Sequence, residues 1–133
     1  MPTKRLLLLA IGLLALLPGC TMSKIKAEAK ACIAPLETAP RYSLANTILF
    51  PEGGVTPSML ANHRLPTPEH LAQFGPYLDL KTQCQRKALD ELGSTSFSGS
   101  LNYKVMVSQG HLHWQNYADF LSGTMTYSDF FGN

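Results

Sequence analysis

Four histidines, three cysteines and one serine–lysine pair are the side chains of this sequence with the most chemistry to offer. His111-x-His113 would set two imidazoles on one side of an extended segment, which is how a metal site can begin. His63 and His70 would add ligands if the fold gathered them. The spacing does not demand it, and no carboxylate cluster lies nearby. Surface or capping roles are therefore expected for all four, and no metal is assigned. Ser23-x-x-Lys26 has the spacing at which a lysine can activate a serine nucleophile. Its companion motifs are missing and the chain is short for the fold that uses it, so the match reads as chance. Asp90-Glu91 and Asp119 read as helix-surface acids. No Gly-x-Ser-x-Gly, His-Glu-x-x-His or phosphate loop occurs. These residues argue for no catalytic set, no cofactor and no small-molecule substrate.

The elements that position these side chains are predicted to be helical. Ser23 to Ala34 carries a stripe of Ile25, Ala29, Cys32, Ile33 and Leu36 at helical spacing. Lys24, Lys26 and Lys30 sit mostly off it and read as a solvated face, with contact to anionic head groups the alternative. Pro35 to Gly54 reads as irregular, with Leu44–Phe50 extended or a single turn and a turn at Gly53-Gly54. Thr56-Pro57 and Thr67-Pro68-Glu69 each place an N-cap before a first-turn proline. Val55 and Leu60 fall at staple positions around the first. Tyr77 to Leu92 is the strongest helix, with Tyr77, Leu80, Cys84, Ala88 and Leu92 on one face and Gly93 as its stop. Gly75-Pro76 should break or kink the path into it. Leu101 to Val107 suggests another helix. The tail then repeats itself: Gly110–Tyr117 and Gly123–Phe130 align at an offset of thirteen, and both read as helix starts. Thr126 caps the second copy, with Asp129 at N3 and a Met125–Phe130 staple. His113 is a poorer cap for the first, inside a Leu112–Tyr117 staple.

Ahead of these elements stands a leader. Lys4 and Arg5 precede an unbroken apolar run, Leu6 to Leu17. The run is too short to span a bilayer, which takes ~20 residues, and has the form of an export signal. Leu17-Pro18-Gly19-Cys20 follows. This resembles the lipobox of bacterial lipoproteins. The resemblance implies cleavage before Cys20, a diacylglyceryl thioether on its sulfur, and usually a third chain on the new amino group. Several chains make a stable anchor where one does not. Thr21 after the cysteine implies passage to the outer membrane, facing the periplasm. Leu121-Ser-Gly-Thr-Met-Thr-Tyr is similar to an ending found in small helical lipoproteins of proteobacteria. The expected organisation is a removed signal over residues 1–19, a lipidated terminus over 20–22 and one small periplasmic domain over 23–133.

With Cys20 consumed by lipid, Cys32 and Cys84 remain. Two leftover thiols in an oxidising compartment usually pair, so a structural disulfide is expected; no C-x-x-C suggests thiol exchange. Removing Lys4 and Arg5 from the 11 basic residues leaves nine against nine acidic ones. A neutral mature chain argues against nucleic-acid binding. The expected fold is all-α: four to six short helices, a Pro-rich irregular segment and one disulfide.

The aromatic tail offers the remaining candidates. Trp114, Tyr117, Phe120, Tyr127, Phe130 and Phe131 are core side chains on the simpler reading, since small helices need large groups to bury enough area. On the other reading Trp114, Tyr117, Phe130 and Phe131 form a partner-binding platform, with Phe131 or Trp114 the exposed anchor. The expected role is that of a non-enzymatic envelope lipoprotein. Its lipid holds it to the membrane, and it binds a protein or cell-wall partner as an accessory or scaffold component. The alternative is an inhibitor or regulator of a wall-active enzyme.

Overall fold

A computed structural model describes residues 18–133, with side chains from Thr21 onward. The expected export signal and the Cys20 sulfur lie outside the described residues. Six α-helices follow in order: α1 (Pro18–Thr38), α2 (Ser43–Leu49), α3 (Pro57–Leu60), α4 (Pro68–Gly93), α5 (Leu101–Leu121) and α6 (Tyr127–Gly132). Short 3-10 turns at Pro40–Tyr42 and Ser96–Gly99 join them, and there is no strand among the described residues. The protein is all-α. Three of its helices are long, with 21, 26 and 21 residues in α1, α4 and α5, where local signals predict shorter pieces.

The long helices arise where packing overrides a local breaker. Thr67 caps α4 by accepting from the His70 N–H at 3.2 Å, and Pro68 sits at its first turn. The helix then runs through Gly75-Pro76 without stopping. Proline removes one backbone bond. Phe74, Tyr77 and Leu78, on both sides of it, are 0 %, 2 % and 1 % exposed, and their shared burial offsets that loss. α1 likewise passes Pro35 to reach Thr38, held by the buried Leu36. Most of the segment expected to be irregular is thus helical, since α2 buries Ala45 and Leu49. α5 begins at Ser100, whose hydroxyl accepts from the Tyr103 N–H at 3.1 Å. It continues through Gly110, which costs ~1 kcal/mol relative to alanine. His113 is therefore mid-helix rather than a cap. The second tail copy does start a helix, with Thr126 accepting from the Asp129 N–H at 3.1 Å.

α1 and α5 both run antiparallel to α4. Cys32 of α1 pairs with Cys84 of α4 in a disulfide with Cα atoms 5.7 Å apart. On α5, Tyr103 lies against Gly93 and Trp114 reaches Gln85. α4 does end at Gly93, but φ there is not positive. A Cβ there would stand 2.6 Å from the Tyr103 hydroxyl, so any larger residue must push that side-chain tip aside. Gly123, at φ 80°, reverses the chain after α5 so that α6 folds back. At that end Phe74, Tyr77, Tyr117, Phe120, Tyr127 and Phe130 join Leu36, Leu49 and Leu78 in one core. Phe120 and Phe130 pack at a tilt with ring centres 4.4 Å apart.

Candidate functional site

A groove of about 460 Å3 opens at the end of the molecule that holds the aromatic core. Ile48 of α2, Met59 of α3, Arg64 and Leu65 of the following linker, His70 of α4, and Tyr127 and Phe131 of α6 line it. The caps predicted from sequence build it. Thr56 starts α3 by accepting from the Met59 N–H at 3.3 Å, Thr67 starts α4, and Thr126 starts α6. α6 then pins the linker by backbone bonds from Tyr127 N–H to Arg64 C=O at 3.0 Å and from Ser128 N–H to Asn62 C=O at 2.7 Å. The His70 Nδ1 lies 3.2 Å from the Tyr127 hydroxyl, and burial pushes that phenol up from its ordinary range. Arg64 is the charged lining group, and no acid lines the groove. Three exposed aliphatic side chains stand nearby in the chain: Val55 at 50 %, Leu60 at 44 % and Leu65 at 52 %.

A second, more apolar cleft of about 290 Å3 lies between α1 and α5. Its floor is the α4 face around Cys84, Ala88 and Leu89, and its walls carry Ala29 and Ile33 on one side and Met106 and Trp114 on the other. Trp114 is clamped at its edge. The indole N–H donates to Gln85 Oε1 at 3.0 Å, the Arg86 guanidinium sits 4.7 Å over the ring, and His111 meets it edge-on at 5.3 Å.

The aromatic candidates therefore divide. Tyr117 and Phe130 are 7 % and 6 % exposed and belong to the core, so they present no binding face. This corrects the platform reading for those two, because small helices here spend their large rings on burial. Phe131 and Trp114 are half-buried and lie in two separate grooves. The histidines divide as well. His70 is in the first groove, His113 is in the cleft, and His63 and His111 are exposed. Among the described residues no three His, Cys, Asp or Glu side chains gather at metal-binding distance. Lys24 meets Glu28 at 3.9 Å on the solvent side of α1, while Lys26 and Lys30 are exposed.

Three cations escape sequence reasoning. Lys81 places its Nζ 3.2 Å over the Phe50 ring, and burial lowers its pKa. Arg86 covers Trp114, and Arg64 lines the groove. Each pairs with rings or elements distant in the chain, and local spacing carries no sign of that. No helix among the described residues is long and apolar enough to cross a membrane. No protein-family model, curated protein or solved structure matches the chain.

Proposed function

We propose that this chain is a lipid-anchored, non-enzymatic lipoprotein of the bacterial outer membrane that faces the periplasm and binds a protein partner through the Phe131 groove. The groove carries the reading. It has an apolar floor of Ile48, Met59 and Phe131, with Arg64 and His70 among its polar lining groups. Apolar centre and polar rim are the anatomy of a protein interface, and arginine is enriched there. The lipobox-like Leu17–Cys20 and the apolar run before it support the anchor.

A photo-crosslinking amino acid placed at position 131 in living cells tests the binding role. The expected result is one discrete adduct with an envelope protein, lost on Arg64→Ala, while a probe at the exposed Ser108 gives none. Equal adducts from both positions, or none from 131, would sink it. Identification of the captured protein as a wall-active enzyme whose rate changes with the lipoprotein bound would make the role regulatory. Intact mass separately reads the anchor: an unmodified Cys20 overturns that half.

A further inference from the structure

The molecule has a second end, opposite the Phe131 groove, and the antiparallel packing of α1, α4 and α5 assembles it. The start of α1, the close of α4 at Gly93, the Ser96–Gly99 turn and the start of α5 all meet there. Cys20 stands in the first turn of α1. Helix therefore already runs through the proposed anchoring residue.

Helix geometry gives the spacing. The Cys32–Cys84 bond sets position 32 of α1 level with a residue nine short of the end of α4. Cys20 lies twelve residues further out, so α1 overhangs α4 by three residues, about 4–5 Å at 1.5 Å per residue. A head-group layer is roughly 5–8 Å thick per leaflet. With acyl chains at Cys20 in the hydrocarbon, Lys24 falls within that layer, Lys26 reaches its outer edge, and the end of α4 and the start of α5 enter it. The exposed apolar side chains of this end are Leu101, at 75 % the most exposed large hydrophobic residue described, with Val105 at 44 % and Met106 at 42 %. The turns of the three helices toward this end carry Lys24, Lys26, Lys30, Lys87 and Lys104, against Glu28, Asp90 and Glu91. The balance is positive, and it is the sign that anionic lipid attracts.

We infer that this end is a second membrane contact: Leu101 and Val105 enter the interface of the membrane that holds the Cys20 chains, Lys24, Lys26 and Lys104 pair with anionic head groups, and the domain stands upright with the Phe131 groove turned away. This rests on the proposed lipidation. The occupant is the bilayer because the patch adjoins the anchor and carries the complementary charge. α4 is 26 residues long, so Leu65 at the far end stands about 40 Å from the surface.

The full lipidated chain, reconstituted in vesicles of phosphatidylcholine with phosphatidylglycerol and bromine-labelled acyl chains, tests this. In a Trp114→Phe background, Leu101→Trp is expected to show at least about threefold more bromine quenching than Leu65→Trp, in line with interfacial insertion. The difference should shrink on Lys24→Gln with Lys26→Gln and Lys104→Gln, or with phosphatidylglycerol left out. Amide exchange of the unsubstituted chain in the same vesicles checks the result without any variant; residues 96–106 should be slowed relative to detergent, and residues 60–67 should not. Equal quenching at both positions, or equal exchange in vesicles and detergent, on a chain whose mass shows acylated Cys20, overturns the contact and leaves the anchor standing. An unmodified Cys20 takes down both.

Discussion

The two ends of this molecule are built differently. The far end gathers aromatic rings from α4, α5 and α6, with Tyr42 and Phe50 from either side of α2, into one core, with Phe74 and Phe120 fully shielded. The near end has few buried side chains, Ile25 and Leu92 among them, and relies on the Cys32–Cys84 bond to hold α1 against α4. Burial is a cooperative solution that demands many partners; a covalent bond needs one. A small domain can use burial where many chain segments converge and a crosslink where fewer do. The difference also leaves each end a separate surface, a polar-rimmed groove at one and exposed aliphatic side chains at the other.

The largest expected effect breaks the far end. Phe120→Ala should cost about 3–5 kcal/mol, measured by urea unfolding, because it opens a cavity among Phe74, Tyr127 and Phe130. An effect under half of that would mean the core is not where stability resides. Next, Cys32→Ser with Cys84→Ser should cost ~2–4 kcal/mol. Its signature is local: amide exchange should rise first in residues 21–34, with the far end protected. A uniform rise would erase the distinction between the ends.

Alkaline titration sharpens the picture at the far end alone. Burial, with Tyr117 and Glu37 adding to it, pushes the Tyr77 phenol up to about 12. The folded state therefore holds its proton more tightly than the unfolded chain. The associated stability is complete below pH 10.0 and is lost as pH rises through about 12. After allowance for its partial solvent screening this is on the order of 1 kcal/mol. Tyr77→Phe should flatten that slope in thermal melts between these limits, and an unchanged slope would assign the loss to other groups. Thr67→Ala should cost ~1 kcal/mol through the lost cap of α4. Lys24→Gln should change stability by less than ~0.5 kcal/mol, since its pair with Glu28 is an exposed one.

What the chain alone determined is what neighbouring residues decide between themselves. Thr56, Thr67 and Thr126 each make the cap bond their spacing predicts, because a cap needs only a hydroxyl and an N–H three residues on. The stripe on α1 and the pairing of Cys32 with Cys84 were equally readable, the first from helical period and the second from compartment and elimination. Tertiary structure decided the rest. Pro35, Pro76 and Gly110 are local breakers, yet burial of Leu36, Phe74, Tyr77 and Phe120 carries three helices through them. Which aromatic side chains stay reachable, and that His70 meets Tyr127 from 57 positions away, follow from how the helices converge. Local bonds have a fixed reach of a few residues, whereas burial depends on every segment that arrives at one place, and that sum is made only in three dimensions.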